Sequence, residues 1–107
     1  MTGADGEGGA AGDDAEAARA RALALLEATH QFPCAYDLTV IAFNQEVTTA
    51  AVREAVVVEG DPVAHQMVGS KAGRYLSHRF SVRVTTATEV LEIYARVRGV
   101  EGVVSIL

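Results

Sequence analysis

Three histidines, one cysteine and a short cationic turn are the side chains of this chain best suited to chemistry. His30, His65 and His78 lie in different segments. No two of them lie about two to four residues apart, the spacing from which zinc sites are usually built, so no metal is expected. His78 falls within the alternation Leu76-x-His78-x-Phe80-x-Val82-x-Val84 and reads as a hydrogen-bonded core residue. Cys34 is the single cysteine. A nucleophilic thiolate needs a base, a cation or a helix N-terminus beside it, and Phe32-Pro33 interrupts the stretch between Cys34 and His30. Glu89 and Glu92 share a helix face, but Glu89 has a capping role and Glu92 a solvated one. Gly8-Gly9 and Gly12 follow no strand, so they form no phosphate loop. The expectation is no catalytic residue, no cofactor and no enzyme.

Two surfaces remain. In Ser70-Lys71-Ala72-Gly73-Arg74-Tyr75, two cations flank a glycine suited to positive φ, and turn amides can gather around an anion. Ser70, Lys71, Gly73, Arg74 and Tyr75 are therefore candidates for holding a small anionic ligand. The second surface is one face of a sheet carrying Ile41, Phe43, Ser77, Arg79 and Arg83, a mixture of aromatic, apolar and arginine side chains that suits a protein interface.

The elements that position these residues follow from periodicity. Residues 1–13 are small and acidic with no large apolar side chain beyond Met1, and are expected to be a disordered tail. Residues 14–31 are rich in Ala, Leu, Arg and Glu and predict a helix, capped by Asp13 with Glu16 in capping-box spacing and ended by Phe32-Pro33. Leu23, Leu26 and His30 fall near one face. Tyr36 to Phe43 alternates as a strand. Asn44 can cap a helix from about Gln45 to Val58, with Val47, Ala51, Ala55 and Val58 at helical spacing. Gly60-Asp61-Pro62 punctuates. Val63 to Val68 and Tyr75 to Thr85 form a hairpin around Gly73. Thr86 and Glu89 make a capping box for a helix with Ala87, Val90, Leu91, Tyr94 and Val97 on one stripe, ended at Gly99. Val103 to Leu107 is a last strand.

Over residues 32–107 this is the order β-α-β-β-α-β, an α+β, ferredoxin-like sandwich preceded by an extra helix. Right-handed crossovers put both helices on one face of an antiparallel sheet of order 4-1-3-2. Pairing Ile41 with Arg79 would set Asp37 opposite Arg83, with a slip of two residues preserving the same faces.

Composition narrows the function classes. The chain has 107 residues and a formal charge of −5. Five acids and no base lie in residues 1–16, so the nine other acids balance the nine bases. A nucleic-acid binder usually carries a basic excess, and Arg74-Tyr75-Leu76-Ser77-His78 lacks the aromatic spacing of an RNA-stacking strand. RNA binding on the sheet face is thus a second alternative, behind an anion sensor. No apolar run approaches the ~20 residues of a membrane span, and no leader is expected at the N-terminus. The lone cysteine fits a reducing, cytoplasmic setting.

Phe32-Pro33 before a strand, Ser70-Lys71-Ala72-Gly73-Arg74-Tyr75 with Ser77 following, and Val103 to Leu107 at the end resemble the YbeD-like family of small bacterial proteins. The likeness covers roughly residues 23–107. It implies a ferredoxin-like fold similar to ACT regulatory domains and a regulatory or partner-binding module without known chemistry. ACT-type domains often have glycine between the first strand and first helix. Ala42-Phe43-Asn44-Gln45 has none, which speaks against an amino-acid site of that type. The expectation is a non-enzymatic interaction module, a homo-oligomer or the partner of another protein. The alternative is a sensor of an anionic metabolite.

Overall fold

The structure, a computed structural model, describes residues 3–56 and 63–107, with side chains for 14–56 and 64–107. It divides into two units, one ending at Gln31 and the other spanning Phe32–Leu107.

The first unit is a helix, α1 (Gly3–Thr29). Its backbone includes most of the segment expected to be disordered, and it runs through Asp13, which therefore does not cap its start. At the other end His30 N–H donates to the Leu26 carbonyl, and the Thr29 hydroxyl donates to that of Leu25. Leu23, Leu26 and His30 are half-buried.

The second unit runs β1 (Cys34–Phe43), α2 (Glu46–Val56), β2 (Val63–Gly69), β3 (Tyr75–Val84), α3 (Ala87–Arg98) and β4 (Val103–Ile106). The sheet order is β2-β3-β1-β4, all antiparallel, which is the expected 4-1-3-2 read from the other edge. The Phe32–Pro33 bond that leads into β1 is cis.

Alternation divides the central strands into two faces. Leu38, Val40 and Ala42 of β1 and His78, Phe80, Val82 and Val84 of β3 are buried beneath the helices. From α2 come Val52, Ala55 and Val56, and from α3 Ala87, Val90, Ile93 and Val97. The Arg96 guanidinium ties the helices together by donating Nε–H to the Ala55 carbonyl at 2.8 Å.

The α2 stripe differs from the expected one. Val47 is 74% exposed, and the buried line is Thr48, Val52, Ala55 and Val56. Asn44 is not the cap that sets the helix phase. The first helical bond runs from Thr49 N–H to the Gln45 carbonyl, while Asn44 bonds to the β2–β3 turn. With the helix rotated by one position, Thr48 faces Gly102. Val58 and Gly60-Asp61-Pro62 lie outside the described residues. In α3, Ile93 is the largest of the fully buried side chains, and Leu91 and Tyr94 are half-buried at the margins. The Thr86 cap forms as expected, accepting from Glu89 N–H at 3.2 Å. The Glu89 carboxylate reaches one residue further back than a capping box requires, to Thr85 N–H at 2.6 Å.

Two glycines are required by backbone geometry. Gly73 has φ +73° at the hairpin tip, and Gly102 has φ +97° before β4. A Cβ on Gly102 would stand 2.9 Å from Thr48 Oγ1, closer than side chains pack.

Candidate functional site

The face of the sheet turned away from α2 and α3 is built in rows by strand register. Val68, Ser77, Ile41 and Ser105 lie side by side across β2, β3, β1 and β4. The next row is Gln66, Arg79, Thr39 and Leu107, the last held by two backbone bonds to Thr39 of 2.8 and 3.2 Å. Ala64, Ser81 and Asp37 follow, then Arg83 opposite Ala35. This corrects the expected pairing of Ile41 with Arg79 and Asp37 with Arg83. The register is shifted by two, so every side chain keeps its face while Asp37 meets Ser81 rather than an arginine. The end of the β1–β3 ladder fixes that shift: Asn44 N–H donates to the Arg74 carbonyl, Phe43 stands opposite Tyr75, and the count along both strands runs from there.

At one end of the face Phe43 stacks on Tyr75, ring centres 5.4 Å apart and planes at 26°. Phe43 stays 40% exposed, Val68 42% and Leu107 70%. Ile41, Tyr75 and Ser77 are half-buried, while Arg79 and Arg83 stand in solvent. Asp37, Thr39, Gln66, Arg79 and Ser81 border an open depression of about 380 Å³. All five expected interface residues therefore share one surface, apolar and aromatic around Ile41, Phe43 and Tyr75 and cationic towards Arg79 and Arg83.

The hairpin turn spends much of its polarity on itself. Ser70 N–H donates to the Tyr75 carbonyl, Gly73 N–H to the Ser70 carbonyl and Tyr75 N–H to the Ser70 hydroxyl. Asn44 clamps it from outside, its side-chain amide donating to the Gly73 carbonyl and its backbone N–H to that of Arg74. Lys71 and Arg74 remain exposed. Three of the turn's amides are thus engaged within it, which leaves less of a nest than the sequence suggests.

On the core side the fold joins two histidines that look unrelated in sequence. His65 of β2 stacks on Phe80 at 4.3 Å, and its Nε2 lies 3.0 Å from His78 Nδ1. His78 is fully buried, and its Nε2 has no hydrogen-bond partner among the described residues. Burial lowers the pKa of both rings below the ordinary 6.5. The Arg53 cation lowers His65 further, and His65 adds to the lowering of His78. The signal was present in the hairpin: counted back from the Ser70–Tyr75 closure, His65 falls opposite Phe80 and diagonal to His78. A second pair, Tyr36 and Tyr94, meets hydroxyl to hydroxyl at 2.9 Å with rings edge to face. Burial, then the hydrogen bond with Tyr36, raises the Tyr94 pKa. Cys34 is half-buried at the head of β1, opposite Val84. No group of three His, Cys, Asp or Glu side chains that could hold a metal occurs among the described residues.

A two-layer α+β sandwich with this strand order and both α2 and α3 on one sheet face is an ACT-like ferredoxin fold. The model of the family described as proteins of unknown function (DUF493) matches residues 27–107, and the chain belongs to that family. The solution structure of protein HP0495 from H. pylori has a TM-score of 0.65 and 24% identity, covering 73% of this chain and 85% of its own. A second HP0495 solution structure from Helicobacter pylori gives 0.53 at 25% identity, over 71% of this chain and 87% of its own. The ACT domain from GTP pyrophosphokinase of Chlorobium tepidum is similar at TM-score 0.58 and 8% identity, covering 69% of this chain and 83% of that domain. At that identity it bears on the fold alone. No curated protein matches the chain. Among the described residues no helix is long and apolar enough to cross a membrane.

Proposed function

We propose that this chain is a non-enzymatic, ACT-like regulatory or interaction module of the cytoplasm, and that it works by docking its open sheet face against a second copy of itself or another protein. One observation carries the reading. Two aromatic rings, Phe43 and Tyr75, are stacked beside Ile41 on a sheet face that neither α2 nor α3 covers. A part-exposed aromatic pair with apolar neighbours and arginines at the margin has the composition of an interface centre. A folded unit of this size buries only ~60% of its unfolded surface, so covering the face adds stability.

Sedimentation and light scattering test it. The full chain should associate as concentration rises, and Ile41→Glu combined with Arg79→Glu should abolish association while leaving the circular dichroism spectrum unchanged. A chain that stays monomeric at high concentration, and captures no protein through this face, refutes it. The exposed Lys71 and Arg74 beside Gly73 support a second reading, an anionic metabolite bound at Ser70–Tyr75, which the turn's internal hydrogen bonds weaken. Millimolar carboxylates, acyl acids and nucleotides should then raise the melting temperature, since a hundredfold excess over Kd is worth ~2.7 kcal/mol. No shift with any anion ends that reading.

A further inference from the structure

The His65–His78 pair has only one place for a shared proton. The two rings carry four nitrogens, and His65 Nε2 and His78 Nδ1 meet at 3.0 Å with a single hydrogen between them. In the neutral pair two hydrogens are distributed. If His78 Nδ1–H donates to His65 Nε2, the second hydrogen sits on His65 Nδ1 and His78 Nε2 is bare. If His65 Nε2–H donates instead, the second hydrogen sits on His78 Nε2 or His65 is left charged. His78 Nε2 is buried without a partner among the described residues. An orphaned N–H in the core costs more than a bare ring nitrogen, because it forfeits the stronger hydrogen bond to water. The neutral pair therefore rests with His78 protonated on Nδ1 and donating to His65.

Adding one proton fills every remaining site. The bridge still holds one hydrogen, His65 Nδ1 holds another, and the third must go to His78 Nε2. The alternative is to separate the rings. We propose that the His65–His78 pair is an acid-sensitive latch, in which the first proton taken up is forced onto a buried, unpartnered nitrogen and releases the edge strand β2 from the core.

Among the described residues the neighbourhood offers that proton no buried counter-charge. From α2 the groove beside His65 presents Arg53, which repels it, and Glu46, which is exposed at the first turn. From β1 the register neighbour of His78 is Val40, and from β2 it is Met67. Phe80 stacks on both rings. Arg96 of α3 is committed to the Ala55 carbonyl. Asp37, Arg79 and Arg83 lie on the opposite face of the sheet. On its other flank β2 is paired with no strand among the described residues, so its release breaks a single ladder, that with β3.

Nitrogen-15 NMR of the intact chain reads the proposal directly. Near neutral pH, His78 should show its hydrogen on Nδ1 and should not titrate at the ordinary histidine value. As pH falls, amide exchange in β2, corrected for its intrinsic pH dependence, should accelerate up to tenfold per pH unit for one proton taken up on opening. Amides of β1 facing β4 should not follow. His78→Leu should remove the acceleration. If that variant does not fold, the wild-type titration alone decides. A His78 ring that titrates near 6.5 with its β2 exchange unchanged, or one protonated on Nε2 at neutral pH, overturns the latch.

Discussion

Gly102→Ala isolates how the approach to β4 supports the open face. The added Cβ meets Thr48 Oγ1 at 2.9 Å and Thr48 Cγ2 at 3.0 Å, on a backbone with φ +97°. Two costs are separable. Placing an L side chain at this φ costs roughly 1–2 kcal/mol by the strain of non-glycine residues there. Pushing Thr48 aside adds about 1–3 kcal/mol, the cost of overpacking, because Thr48 is 4% exposed on the inner face of α2. The sum is about 2–5 kcal/mol, read as a lower urea midpoint with unchanged slope. Thr48→Ala should cost about 1 kcal/mol alone and relieve only the second part. A double-mutant cycle should therefore show a favourable coupling of about 1–3 kcal/mol, leaving the backbone part in the double variant. Since the Gly102 carbonyl accepts from Phe43 N–H at 3.0 Å, Gly102→Ala should also disturb the Phe43–Tyr75 stack, visible in tyrosine fluorescence. A loss below about 0.5 kcal/mol, or costs that simply add, would refute the reasoning.

Acid should destabilise the fold in a defined window. Burial first, and neighbouring positive charge second, hold His65 and His78 below 6.5, so the unfolded chain binds more protons below that pH. Stability is then full above about 6.5 and falls as pH drops towards the lowered folded values, at up to ~1.4 kcal/mol per pH unit for one proton. Urea midpoints measured from neutral to mildly acidic pH check this, and His78→Leu should flatten the slope. Thr86→Ala should cost about 1 kcal/mol in the same assay, since the Thr86 hydroxyl accepts from Glu89 N–H at the start of α3. A cost near zero would mean that the Glu89 bond to Thr85 N–H holds the helix start by itself. Phe43→Ala should lose roughly 0.5–1.5 kcal/mol of aromatic pairing, modestly for the monomer, and weaken association far more if the stack is an interface centre.

The strand order was legible because two alternating segments and two amphipathic stretches occur in an order with few permitted topologies. Face assignment was equally legible. Ile41, Phe43, Ser77, Arg79 and Arg83 share a surface because alternation survives any even shift in register. What alternation cannot supply is the shift itself. That depends on where β1 and β3 end against one another, and with Asn44 N–H on the Arg74 carbonyl and Phe43 opposite Tyr75 every β1–β3 partner lies two residues from the expected one. The α2 stripe failed for a related reason. Valine at 47 looks apolar, but the threonine at 48 faces the core because Gly102 leaves room for it, a match between residues far apart in sequence. Asn44 likewise has a good capping side chain, and a distant turn took it. The backward extension of α1 to Gly3 has no counterpart in the helix propensities of Gly3, Gly6, Gly8, Gly9 and Gly12, so periodicity and capping pointed to a later start.

The latch and the docking face occupy opposite sides of the same strand, and this makes their separation testable. His78 points into the core between Ser77 and Arg79, which point out. If association needs β2 and β3 in place, its apparent Kd rises as the inverse of the closed fraction. A strand open about a tenth of the time would weaken association by only ~10%. Exchange, which passes through the open state, responds to the smallest populations. Acid should therefore accelerate β2 exchange well before it alters association. The two curves should converge only where opening approaches even odds. Equilibrium sedimentation and amide exchange on the same samples would show this lag. If association weakens in step with the first acceleration of exchange, protons act on the docking face itself and the buried pair is not the source of the pH dependence.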